Sequence, residues 1–155
     1  MSARSGITKA IADKLAKELN GTGFYINNVY GNVDTKVVTL DGVKEFPYIS
    51  VTPGPEIRQD MPSNVSISTL KVYIRIYVEN NNDPQAELES IISDVENFID
   101  THLNLEYNIN TVAGVEKKTT IDNTIVSIST DEGLLAPNGL GEIILDVRYE
   151  KIRKF

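Results

Sequence analysis

The longest regular pattern in the chain lies between Ser66 and Val78. Ser68, Leu70, Val72, Ile74, Ile76 and Val78 alternate with Thr69, Lys71, Tyr73, Arg75 and Tyr77. A period of two sustained over that length predicts a β-strand with one buried face. A polar break, Glu79-Asn80-Asn81-Asn82-Asp83-Pro84, follows it. The period then changes: Leu88, Ile91, Ile92, Val95, Phe98, Ile99 and Leu103 make an apolar helical stripe. Asp83 is placed to cap this helix and Pro84 suits its first position, where no amide donor is needed. Glu87, Glu89, Asp94, Glu96 and Asp100 fall on the remaining faces and read as a solvated acidic surface.

An earlier helix is marked by Ile7, Ile11, Leu15 and Leu19 at every fourth position, with Ser5 as its expected cap and Asn20-Gly21 as its stop. Residues 24–30 are a weaker strand candidate. Residues 37–40 and 46–52 read as strands joined in a hairpin at Asp41-Gly42. Pro47 belongs at a strand start or an edge, and Pro53-Gly54-Pro55 is expected to end that strand, leaving 56–65 as loop. Residues 104–118 read as loop with room for a short strand. Alternation resumes over 119–130, and again over 142–152, where Ile143, Leu145, Val147 and Tyr149 oppose Glu142, Ile144, Asp146, Arg148 and Glu150.

Strands in runs, with one early helix and one central helix, predict an α+β domain. It has a mainly antiparallel sheet with both helices packed on one face. The outward positions of two strands are complementary in charge. Lys71 and Arg75 on one match Asp146 and Glu142 on the other, which predicts that these strands pair antiparallel.

Composition narrows the function. With 155 residues the chain suits one domain, 1–155, with a real core. No apolar run approaches a membrane span, and the first six residues lack a signal core, so neither membrane insertion nor secretion is expected. The absence of cysteine excludes disulfides, thiolate metal sites and cysteine nucleophiles. Fifteen Lys and Arg against 22 Asp and Glu give a net charge of −7, which disfavours general binding to nucleic acid. The segment from Arg148 through Lys151, Arg153 and Lys154 to Phe155 is locally basic; it reads as a solvated tail or as a contact for an acidic partner.

Candidate chemistry is sparse. The one histidine, His102, falls at the end of the central helix, where it suits the helix dipole or simple packing better than catalysis. Asp131-Glu132 beside Gly133 is the best carboxylate pair for a metal, but no EF-hand spacing surrounds it. Gly21-Thr22-Gly23 is a turn, with no strand before it and no third glycine. No catalytic residue, cofactor or metal is expected. The strand face carrying Tyr73, Arg75 and Tyr77 suits a protein interface, since Tyr and Arg combine large area with a polar tip; a solvated cross-strand ladder uses the same residues.

Four segments, in this order, carry a resemblance: Pro47-Tyr48-Ile49-Ser50-Val51-Thr52-Pro53-Gly54-Pro55-Glu56, the strand 70–78, the acidic helix 87–100, and Ile128-Ser129-Thr130-Asp131-Glu132-Gly133-Leu134-Leu135-Ala136-Pro137-Asn138-Gly139-Leu140-Gly141-Glu142 running into 145–149. Together they resemble the tail terminator (tail completion) proteins of long-tailed bacteriophages. The resemblance implies a virion protein, assembled in the host cytoplasm, that closes into a six-membered ring. The ring would cap the head-proximal end of the tail tube, end tube polymerisation and offer a surface to the head connector, with a sheath protein as a further partner in contractile tails. DNA would only pass through the lumen. Neither catalysis nor a cofactor is implied. A ring needs two unlike patches per subunit. The candidates are Tyr73, Arg75 and Tyr77, and the loops 53–65 and 131–141, the latter containing Asp131, Glu132 and Pro137. Other neck or tube subunits, and a small-molecule-binding or hydrolytic α+β domain, remain the competing readings.

Overall fold

A computed structural model describes residues 2–152. Its order is α1 (Ala3–Glu18), β1 (Val33–Asp34), β2 (Tyr48–Asp60), β3 (Val65–Glu79), α2 (Pro84–Thr101), β4 (Glu106–Thr111), β5 (Gly114–Thr119), β6 (Asp122–Thr130) and β7 (Asn138–Ile152). Five strands form one sheet in the order β1-β2-β3-β7-β6, and β4-β5 form a separate hairpin. All pairings except β1 with β2 are antiparallel. This is the expected α+β architecture.

β3 and β7 are the centre of the sheet, paired along all fifteen residues of each. Leu70, Val72, Ile74, Ile76 and Val78 on β3 and Ile143, Leu145 and Val147 on β7 are fully buried. They meet Ile7, Ile11 and Leu15 of α1 and Leu88, Ile91, Val95 and Phe98 of α2 in one apolar core. Both helices therefore cover one face. The close approach of α2 depends on Gly141: a Cβ there would stand 3.0 Å from Ile92 and 3.1 Å from Leu88.

The helix ends follow local chemistry. Asp83 accepts a hydrogen bond from the amide of Ala86 at 3.1 Å, with Pro84 in the first turn, as expected. The cap of α1 is Ser2, not Ser5: its hydroxyl accepts from the Ser5 amide at 3.2 Å. The C-terminal stop holds, with Leu19 as the cap residue and Gly21 at φ +78°.

Four further expectations fail. No hairpin forms at Asp41-Gly42, which lies in a short 3-10 turn; β2 pairs instead with β3 and, in parallel, with the two-residue β1. Residues 24–30 are not a strand; a single bridge joins Asn20 to Asn28. Pro53-Gly54-Pro55 does not end β2. The register steps from Pro53↔Val72 to Glu56↔Leu70, so one extra residue bulges outward and the strand continues to Asp60. A bulge tolerates proline because the missing amide has no ladder partner to lose. Finally, 104–118 holds a true hairpin, β4-β5, and not mostly loop. The basic C-terminal segment is described only through Ile152; Arg153, Lys154 and Phe155 lie outside the described residues.

Candidate interaction surfaces

The face of the sheet opposite the helices is polar and built from charge pairs. Lys71 faces Asp146 directly across β3 and β7, with Nζ 2.6 Å from Oδ1; Arg75 faces Glu142, with Nε 2.8 Å from Oε2. The pairing deduced from charge is the one observed. A third pair joins β7 to β6, where Arg148 forks onto Asp122 at 2.9 and 3.1 Å through Nε. The hydrogen bonds from Arg148 hold the Asp122 carboxyl below its usual range.

Tyr73 and Arg75 lie together on this face. The Arg75 guanidinium stands 5.2 Å from the Tyr73 ring centroid, within cation–π range. The Tyr73 ring lies across Gly54, where a Cβ would come within 2.6 Å of it. The glycine at the β2 bulge thus makes room for the tyrosine.

Tyr77 behaves differently from its neighbours. It is only 4% exposed. Its hydroxyl donates to the Val38 carbonyl at 2.8 Å and its ring packs 5.9 Å from that of Tyr48. Ser50, on the same face, donates to the Lys36 carbonyl at 2.6 Å. Residues 36–38 are thereby strapped over this end of the sheet, and Tyr77 is covered within its own chain.

The turn after β6 is organised by Asp131. Its carboxylate accepts from the amides of Leu135 at 2.9 Å and Leu140 at 3.1 Å. The Asn80 amide donates to the Pro137 carbonyl at 2.9 Å, tying the turn to the start of the loop before α2. Glu132, at φ +56°, is exposed, as are Leu134 and Pro137. Asp131 is thus committed to its own backbone, while Glu132 projects.

Two other acids and the histidine have internal roles. Asp94 was expected in the solvated face of α2, yet it is 3% exposed. It accepts from the amides of Ile26 and Asn27 and from the Asn27 side chain, at 3.3, 2.8 and 2.7 Å. Glu56 accepts the Tyr149 hydroxyl at 2.7 Å and lies 3.7 Å from Arg4. Burial, and then Glu56, push the Tyr149 phenol well above its usual pKa. His102 closes α2. Its Nδ1 is 2.8 Å from the Phe98 carbonyl, its Nε2 is 3.1 Å from Glu18 of α1, and its ring stacks on Phe98 at 4.4 Å. This is a packing role that locks the helices together.

Sequence reasoning missed the exposed apolar side chains Phe24 and Ile26 on the turn after α1, 98% and 82% accessible. No periodicity marks them, because the turn is held by Asp94 and not by strand pairing.

The polar surfaces of the chain are thus ion-paired ladders and tied turns. The family model for the bacteriophage tail tube terminator protein matches residues 1–155. The chain belongs to the bacteriophage tail tube terminator family. The tail tube terminator protein p142 of Escherichia phage T5 is 38% identical over 157 residues, covering 99% of this chain and 98% of that one. Like its family, this terminator is a structural component of the virion tail. Its fold is shared with a chain from the virion of a native gene transfer agent particle, at a TM-score of 0.57 and 14% identity, covering 97% of this chain and 100% of the other.

Proposed function

We propose that this protein, acting through one domain spanning 1–155, closes into a six-membered ring on the head-proximal end of the tail tube, ends tube polymerisation and presents the surface on which the head connector docks. Family membership over the full length carries this reading. The geometry supports it. The long β3–β7 pair is a rigid platform, and its open face bears ordered, ion-paired side chains suited to repeated contacts. We assign contacts with neighbours and partners to Tyr73 and Arg75 on that face and to the turn containing Asp131, Glu132 and Pro137. Tyr77 acts indirectly there, by holding residues 36–38 in place. In a contractile tail the same ring would also meet the sheath.

DNA has to pass through such a ring without being held. On the sheet face Lys71, Arg75 and Arg148 are each engaged by an acid. The exposed acids Glu89 and Asp100 lie on α2, on the other side of the sheet. The net charge of −7 favours such passage through like-charge repulsion of the phosphates.

The test is addition of the purified protein to polymerising tail tube subunits. The proposal expects tubes that stop growing and carry a ring at one end in electron micrographs. Tubes that lengthen unchanged at saturating protein would refute it.

A further inference from the structure

The sequence places glycine directly after asparagine twice, at Asn20-Gly21 and Asn138-Gly139. Such a pair can lose its side-chain amide without an enzyme. Glycine has no Cβ to shield its amide nitrogen or to restrict its backbone, so that nitrogen can reach the side-chain carbonyl carbon. The structure treats the two pairs differently. Asn20, Gly21 and Thr22 are all exposed, in the turn that ends α1, with Gly21 at φ +78°. The Thr22 amide donates to Asn20 Oδ1 at 2.9 Å, and the Thr22 hydroxyl donates to the same oxygen at 2.8 Å. These bonds fold the carboxamide back over the Gly21 peptide and set two donors on its oxygen.

Asn138-Gly139 lacks this freedom. It opens β7, opposite Glu79 and Val78 of β3. The Asn138 amide donates to the Leu135 carbonyl at 2.8 Å. Gly139 is buried, and a Cβ there would stand 2.9 Å from Cγ2 of Val78. To close an imide on that peptide, the chain would first have to leave the strand ladder.

We propose that Asn20 is a site of spontaneous deamidation, assisted by Thr22, and that Asn138 is protected. The Gly21 amide nitrogen gives its proton to the solvent and bonds to Cγ of Asn20. Negative charge develops on Oδ1, where the Thr22 donors stabilise it. The Cγ–Nδ2 bond then breaks, a proton returns to the departing nitrogen, and ammonia leaves. Water opens the resulting cyclic imide. Cleavage at Cγ leaves aspartate at position 20, and cleavage at the backbone carbonyl leaves isoaspartate. Either product alters the end of α1. Asn20 Nδ2 donates to the Lys17 carbonyl at 3.2 Å. A carboxylate cannot donate, and its charge opposes the dipole at the helix C-terminus. Isoaspartate also lengthens the backbone at the bridge from Asn20 to Asn28, next to the Leu19 carbonyl that accepts the Val29 amide. The turn carrying Phe24 and Ile26 is thereby loosened. A structural component of a virion is not replaced once assembled, so the conversion accumulates with the age of the particle.

The test uses the purified full chain and does not depend on ring closure. The folded protein is held in mildly alkaline buffer at physiological temperature, sampled over time, digested and read by tandem mass spectrometry. A parallel sample is held denatured. The proposal expects the mass gain of amide-to-acid conversion at Asn20 of the folded protein, while Asn138 keeps its amide there and converts only in the denatured sample. Thr22→Val, at an exposed position, removes one of the two donors and is expected to slow conversion about two- to fivefold, the worth of one exposed hydrogen bond. Asn20→Asp, which reproduces one product, is expected to melt below the parent. An Asn20 that keeps its amide in the folded protein while the denatured sample converts would overturn the proposal. Equal conversion of Asn138 in the folded protein would do the same, and a Thr22→Val variant that converts as fast as the parent would overturn the role of Thr22.

Discussion

Asp94 is the residue whose role differs most from its pattern. Its spacing in α2 placed it with Glu89 and Asp100 in a solvated row, and single-residue periodicity could not separate them. The partners that bury it are backbone amides of Ile26 and Asn27, 68 and 67 positions away. Asp94→Asn replaces one acceptor oxygen with a donor that faces donors. It is expected to cost about 2 kcal/mol, a fall of roughly 4–8 °C in Tm by thermal denaturation. Glu96→Gln on the same helix serves as the control and is expected to change little. The tyrosines give a pH prediction. Burial raises the phenol pKa of Tyr25, Tyr48, Tyr77, Tyr107 and Tyr149 above the ordinary value of 10.0. In the unfolded chain they lose their protons near that value, so above it the folded state binds more protons. Stability contributed by the protonated phenols is intact below about pH 10 and falls as pH rises further. A denaturant titration repeated between pH 8 and 12 checks the sign, and tyrosinate absorbance in the native protein should rise later than in the denatured one.

At the scale of elements, what was legible was long and amphipathic. β3, α2 and β7 were readable because ten or more residues repeat one period, and because caps such as Asp83-Pro84 mark an end. The β3–β7 pairing was readable from Lys71, Arg75, Glu142 and Asp146 alone. Breaking that ladder tests its weight. A double-mutant cycle on Lys71→Ala and Asp146→Ala is expected to give a coupling of about 0.5 kcal/mol that shrinks with added salt, since both side chains remain about one-third accessible. The β2 bulge, the strap at 36–38 and the β4–β5 hairpin were not legible. Each is decided by tertiary partners: Tyr73 over Gly54, Tyr77 on Val38, and α1 under β4. That last contact is tight. A Cβ on Gly6 would fall 2.2 Å from the Asn108 carbonyl oxygen, which is backbone and cannot swing away. Gly6→Ala should therefore destabilise by about 1–3 kcal/mol despite alanine's better helix propensity. Hydrogen exchange should locate the loss in α1 and the β4–β5 hairpin.

For the whole molecule, chemistry was the wrong place to look for function, and the order of segments was the right one. His102, Asp131 and Glu56, which carry the groups an active site would use, are consumed in locking helices, shaping a turn and holding a tyrosine. What remains outward is surface: a charge-paired sheet face, a tied turn with Glu132, and the turn after α1 with Phe24 and Ile26. Of these, the sheet face and the Glu132 turn were legible in sequence. The turn after α1 was not, because Asp94 holds it. On the ring reading, these surfaces belong to a subunit whose role is set by its neighbours. The measurement that bears most directly on that role is the distribution of tail lengths, imaged by electron microscopy, in infections lacking the protein and in infections complemented with it. The account predicts over-long, headless tails without the protein and a single restored length, joined to heads, with it. Tails of normal length attached to heads in its absence would contradict the account.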